Sequence, residues 1–138
     1  MMIEAYFDGL CEPRNPGGIA TYGYVIYKDG KVIKKGCRAI GHGDGMTNNV
    51  AEYSGMLRVA EWLKEQDFDD EIIIKGDSQL AINQMMGLWP IKSATSRHFV
   101  PKIRKLLEGK KVNFVWVPRE QNDEADMLSR VAYKRYQC

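Results

Sequence analysis

Histidine is scarce in this chain of 138 residues. His42 and His98 are too few and too isolated for a histidine-based metal site. The three cysteines, Cys11, Cys37 and Cys138, are far apart, odd in number and form no CxxC, which argues against a zinc site. A reduced, cytoplasmic protein is the simpler expectation, with one disulfide through the terminal Cys138 as the alternative. No apolar run approaches the roughly 18–20 residues of a membrane helix, so no membrane partner is expected. The N-terminus enters "MIEAYFDG" without a signal-peptide pattern. Internal repeats, low-complexity tracts and linkers are also lacking. Net charge is only +2, which does not demand nucleic acid but permits a local basic face. Lys102, Arg104, Lys105, Lys110 and Lys111 cluster late in the chain. On charge alone they read as a solvated helix face.

What is present fits one globular domain over 1–138, and a monomer is expected. Hydrophobic residues make up 44% and charged residues 28%, ordinary values for a packed core with a wet surface. "IEAYFD" alternates, with Ile3, Ala5 and Phe7 on one face and Glu4, Tyr6 and Asp8 on the other. "TYGYVIY" and "KVIKKGCRAI" flank Asp29-Gly30, a strong hairpin signal. A helix is predicted over 50–65, where Met56, Val59, Ala60 and Leu63 share a face. "EIIIKGD" reads as a strand buried on both faces. A short helix follows Ser78 and ends near Gly87, and "FVPKIRKLLEG" is a helix stopped by Gly109. "VNFVWV" is the last strand and "NDEADMLSRVAYKRY" the last helix. The order β-β-β-α-β-α-α-β-α predicts an α/β fold, a mixed sheet with helices on its faces. Ligands of such sheets sit at the carboxyl ends of parallel strands.

Four acidic residues fall at element ends. Asp8 ends the first strand, Asp77 ends the isoleucine strand, Glu52 opens the first long helix and Asp126 lies in the first turns of the last. Each has a plain explanation. Asp8 before Gly9 suits a turn, Asp77 a helix cap, and Asp126 the helix dipole. Asn49 to Glu52 has the spacing of a capping box. Yet Glu52 shares the apolar face of its helix, where an unpaired charge is costly. Parallel pairing would also set Asp8 and Asp77 side by side, where their charges repel. Divalent cations resolve both problems. Oxygen-only ligands suit magnesium or manganese, and a pair of ions about 4 Å apart is a known device for phosphoryl transfer. "EPRNPGG" reads as a flexible loop offering backbone N–H groups and the Asn15 amide. Thr47, Asn48 and Asn49 precede a helix N-terminus, a natural anion site, and Gln79 follows Asp77. Such amides and hydroxyls can read base edges and 2′-hydroxyls, although alone they are ordinary turn and cap residues.

"YFDG", "TNNVAEYSG", "KGDSQL" and "WVPREQNDEADMLS", in this order, resemble the four acidic motifs of ribonuclease H type 1 across nearly the whole chain. The resemblance implies the ribonuclease H-like fold: a five-stranded mixed sheet, its first three strands antiparallel, with helices on both faces. It implies cleavage of the RNA strand of an RNA–DNA hybrid with two Mg2+ ions (Mn2+ as a substitute), leaving 5′-phosphate and 3′-hydroxyl ends. Asp8, Glu52, Asp77 and Asp126 then carry over as catalytic metal ligands, with Glu52 also near an RNA 2′-hydroxyl. Asn15, Asn48, Asn49 and Gln79 match positions that contact the minor groove, and Thr47 one that contacts a DNA-strand phosphate. The histidine-bearing loop of many members is absent from "WVPREQN", as in short-loop archaeal and some bacterial members. Arg119 or Glu120 is the candidate substitute; the alternative is that the role is missing and turnover slower. The usual basic protrusion is reduced to Lys92 and Arg97 in "GLWPIKSATSRH", where Trp89 either stacks on substrate or packs. Two other readings share these features: a nuclease of the same fold acting on DNA or double-stranded RNA, and a non-catalytic nucleic-acid-binding module.

Overall fold

The computed structural model describes residues 2–137, so Cys138 and its alternative disulfide lie outside the described residues. Five strands form one sheet: β1 (Met2–Glu12), β2 (Ile19–Lys28), β3 (Lys31–His42), β4 (Glu71–Gly76) and β5 (Val112–Trp116). Their order is β3-β2-β1-β4-β5. The first three are antiparallel neighbours, while β4 runs parallel to both β1 and β5. Four helices complete the fold: α1 (Asn48–Glu65), α2 (Gln79–Met85), α3 (Ala94–Leu106) and α4 (Asp123–Gln137). A single 3₁₀ turn at Arg119–Gln121, not foreseen from the sequence, precedes α4.

Side-chain alternation sends successive strand residues to opposite faces. Ile3, Ala5 and Phe7 of β1 are fully buried, and Tyr22, Tyr24 and Ile26 of β2 join them. Tyr53, Met56, Val59 and Leu63 of α1 and Val100 and Ile103 of α3 close this core from above. The other face of β2 receives α4. Gly23 sits directly beneath it, and a Cβ there would lie 2.4 Å from the Ala125 carbonyl oxygen. Beside it, Thr21 Oγ1 donates to the Ser129 carbonyl at 2.8 Å. Helices therefore cover both faces of the sheet.

Several boundaries differ from the sequence expectation, each for a local reason. Asp8 does not end β1: the strand runs on to Glu12 along β2. Only its pairing with β4 stops, at Tyr6 and Lys75. The isoleucine strand is not equally buried on both sides, for Ile72 and Ile74 are fully buried and Ile73 only partly. Thr47, not Asn49, caps α1, its Oγ1 accepting from Val50 N at 3.0 Å. The helix α3 starts at Ala94, five residues before the expected Phe99, because Ser93 caps it, accepting from Ser96 N at 3.1 Å. The 13–18 loop is not free. Gly17 N donates to Met46 O at 2.9 Å and Gly18 N to Arg14 O at 2.9 Å. Of the late basic residues, Arg104 donates to Gln84 O and Lys110 to Gln66 O, so part of that cluster braces the fold. Trp89 is partly exposed, at 43%, beside the exposed Leu88 and Met86.

Overfilling a packed contact costs about 1–3 kcal/mol. Gly23→Ala must push α4 off β2, so urea unfolding should show a loss of about that size. A loss well under 1 kcal/mol would mean that the α4 contact yields freely.

Candidate active site

The β1–β4 ladder pairs Tyr6 with Lys75. Two residues further along the same register, Asp8 stands opposite Asp77. Here the strands part, and the space between them opens into a cavity of about 280 Å³. Asp77 has just left β4, and its carbonyl accepts from Trp116 Nε1 at 3.1 Å, which fixes the chain there.

Glu52 arrives from α1. Its approach depends on Gly9, where a Cβ would lie 2.4 Å from Glu52 N and 2.5 Å from the Ala51 carbonyl carbon. With hydrogen there instead, α1 rests directly on the β1 backbone. Gly9 N then donates to both Asp8 Oδ1, at 2.9 Å, and Glu52 Oε1, at 3.1 Å. The capping-box role for Glu52 is thereby ruled out: its carboxylate points to β1, not to its own helix start. Asp8, Glu52 and Asp77 each bring a carboxylate oxygen within 4.8 Å of the others. Asp8 is 6% and Glu52 3% exposed.

Burial without a counter-charge favours the protonated forms. Burial first, then the nearby Asp77 and Asp126 charges, push Asp8 up to about 7, against a lowering hydrogen bond from Glu52. Burial and then Asp8 raise Glu52 well above its ordinary value. Asp77 is raised by burial, but a hydrogen bond from Asn122 and the Arg119 charge oppose the rise. Among the described residues no hydrogen-bond donor reaches the buried Glu52 Oε2, which leaves that oxygen open to a proton or a cation. An orphaned buried oxygen within a cluster of three carboxylates fits a hard divalent cation.

Asp126, in the first turn of α4, lines the same cavity but stands outside the three-residue group. Arg130, one helical turn on, lies 3.3 Å from Asp126 and 3.4 Å from Glu12. This pair is half-exposed and so worth little in stability. Arg119 and Asn48 also line the cavity. Asn15 Oδ1 accepts from Asn48 N at 3.0 Å, so Asn15 braces the α1 start rather than standing free. With Val50 N taken by Thr47, the α1 N-terminus is largely self-satisfied and is not the open anion site expected. Asn49 and Gln79 are exposed at the starts of α1 and α2. Sequence reading missed three contributors: Gly9, Asn122 and Arg130. Only Arg130 had a local signal, its i+4 spacing from Asp126.

The family described as "Reverse transcriptase-like" matches residues 7–132. Ribonuclease HI of Halobacterium salinarum is 35% identical over 131 residues, 94% of this chain and 63% of that protein. An uncharacterised Bacillus subtilis protein, YpeP, is 31% identical over 93% of this chain and 57% of its own length. The chain thus spans about six tenths of these curated relatives. The crystal structure of RNase H1 from Halobacterium salinarum superposes with a TM-score of 0.85 at 34% identity, covering 98% of this chain and 99% of that one. LC11-RNase H1, solved in complex with an RNA/DNA hybrid, gives 0.89 at 31% identity over 99% of both chains. The chain belongs to the ribonuclease H type 1 family.

The raised carboxyls set the sign of a pH effect. Groups that hold protons more tightly when folded add stability below the unfolded carboxyl value, roughly pH 4, and lose it as pH rises through their folded values. Chelator-treated protein should therefore melt at progressively lower temperature as pH climbs from roughly 4 through about 7. Asp8→Asn should flatten that decline, and Mg2+ at high pH should reverse it by binding the folded state. Parallel melting curves for both proteins would show that these carboxyls do not titrate as described.

Proposed function

We propose that this chain is an endoribonuclease that hydrolyses the RNA strand of RNA–DNA hybrids, leaving 5′-phosphate and 3′-hydroxyl ends. The carrying observation is the group formed by Asp8, Glu52 and Asp77, each of which offers a carboxylate oxygen within 4.8 Å of the other two. Family membership supports the reaction, and the hybrid bound to LC11-RNase H1 supports the substrate class. Asp8, Glu52, Asp77 and Asp126 would hold two Mg2+ ions, with Mn2+ as a substitute. When bound, such ions activate water and neutralise charge building on the phosphate.

The chain's own residues orient and restrain. Asp8 and Glu52 are fixed by the shared Gly9 N–H, so the carboxylates need little rearrangement to act. Arg119, an exposed cation at the cavity rim, is suited to hold a phosphate oxygen or assist proton transfer in place of the family's histidine. The side-chain amides of Asn15, Asn48, Asn49 and Gln79 are proposed to read the minor groove and 2′-hydroxyls. Thr47 Oγ1 already accepts from Val50 N, and its hydroxyl proton remains free for a DNA-strand phosphate. One domain, acting as a monomer in a reducing cytoplasm, completes the proposal.

The test is an end-labelled hybrid, with matched RNA–RNA and DNA–DNA duplexes, each with Mg2+ and with EDTA. Mg2+-dependent cutting of the hybrid's RNA strand is expected. Cutting of DNA–DNA instead would replace this reading with a DNA nuclease, and no cutting by folded protein would favour a binding module. Asp77→Asn should abolish turnover while leaving metal-free hybrid binding largely intact; a near wild-type rate would remove Asp77 from the ligand set. Arg119→Ala should lower turnover with little change in binding, and an unchanged rate would exclude Arg119 from the reaction.

A further inference from the structure

Asn122 takes no part in the proposed chemistry, yet it is only 1% exposed. It joins the 3₁₀ turn to α4, and its side-chain Nδ2 donates in two directions. One bond goes to the Phe7 carbonyl at 2.9 Å and the other to Asp77 Oδ2 at 3.4 Å. Its own backbone carbonyl accepts from Asp126 N at 3.1 Å. One residue thus touches β1 just before Asp8, the Asp77 carboxylate itself, and the helix that carries Asp126.

The same side chain is imperfectly satisfied. Its Oδ1 is buried with no hydrogen-bond partner among the described residues. A buried amide with an orphaned acceptor is costly, and an apolar side chain of similar volume would avoid that cost. The donor is therefore what this position uses.

We infer that Asn122 is a positioning residue that ties the Asp77 carboxylate to the β1 backbone and so presets the Asp8–Asp77 spacing before a cation arrives. This rests on the metal-binding reading above. Groups that orient metal ligands without touching the metal change affinity or activity by about 10- to 100-fold when removed.

The experiment titrates Mn2+ into metal-free protein without nucleic acid, following free Mn2+ by electron paramagnetic resonance. Wild type, Asn122→Ala, Asn122→Leu and Asp77→Asn are compared, and kcat and KM on the hybrid are measured in parallel. Asn122→Ala should raise the Mn2+ Kd about tenfold and lower kcat with KM unchanged. Asn122→Leu keeps the branched outline of the side chain, at a larger volume, but lacks the donor, so it should weaken Mn2+ as Ala does. Reversible unfolding would raise the apparent Kd by the inverse of the folded fraction, so every variant is titrated at a temperature where circular dichroism shows it fully folded, and irreversibly lost chain then shows only as fewer sites. A wild-type Kd in Asn122→Ala, or its recovery in Asn122→Leu, overturns the positioning role while leaving the metal reading intact. A wild type that binds no Mn2+ overturns the metal reading itself, and this inference with it.

Discussion

The site depends on a contact in which one side chain is missing. At Gly9 the backbone of β1 meets the backbone of α1, and no Cβ would fit between them. That closeness carries Glu52 into the interior beside Asp8 and lets one N–H serve both carboxylates. A helix held further off would leave Glu52 at a solvated edge, where its charge would cost little and do little. The same geometry thus explains where Glu52 lies, why it is buried and why its carboxyl is raised. Backbone closeness is bought with electrostatic discomfort, and a divalent cation is the simplest relief.

The discomfort is confined. Basic residues stand at the rim, with Arg119 and Arg130 lining the cavity, and none enters the group of three. An arginine at the centre would have stabilised the metal-free fold and closed the position to a cation. Arg130 instead pairs with Asp126 and Glu12 at half-exposed positions, where ion pairs are weak and readily exchanged. Local rules of burial and pairing are broken where the carboxylates meet and obeyed around them. That is the pattern of a site kept ready for a ligand.

Much of this was legible in the sequence, and the boundary of legibility follows contact range. The hairpin at Asp29-Gly30, the helix stripe from Met56 to Leu63 and the parallel strand at Ile72–Ile74 rest on local pattern. The sheet and its five strands followed from them. The juxtaposition of Asp8 and Asp77 also followed, because parallel pairing was expected and both residues sit at comparable positions. Asn122 was not legible, since its bond to Phe7 O spans 115 residues and nothing in "REQNDEAD" marks it apart from a helix start. Gly9 looked like a turn glycine because Asp-Gly is a common turn pair, whereas its use lies in a helix 43 residues away. The 13–18 loop looked flexible from its prolines and glycines, but its restraints come from Met46 and Asn48.

The self-satisfied start of α1 bears on how a nucleic acid would be held. In its first turn, Asn48 N is taken by Asn15 and Val50 N by Thr47. A phosphate seeking those two backbone N–H groups would have to displace hydrogen bonds already made, so the helix end itself offers little general attraction for anions. Net charge of +2 offers little more. Binding of a polyanion by charge alone is strong, indifferent to sequence and steeply weakened by salt. This surface instead presents neutral amides, at Asn48, Asn49 and Gln79, around an acidic centre that repels phosphate unless cations fill it. Attraction and chemistry would then be set by the same ions. A duplex would be held where its ribose hydroxyls meet the amides and its phosphates meet the metal-filled carboxylates, Arg119 at the rim and the Thr47 hydroxyl.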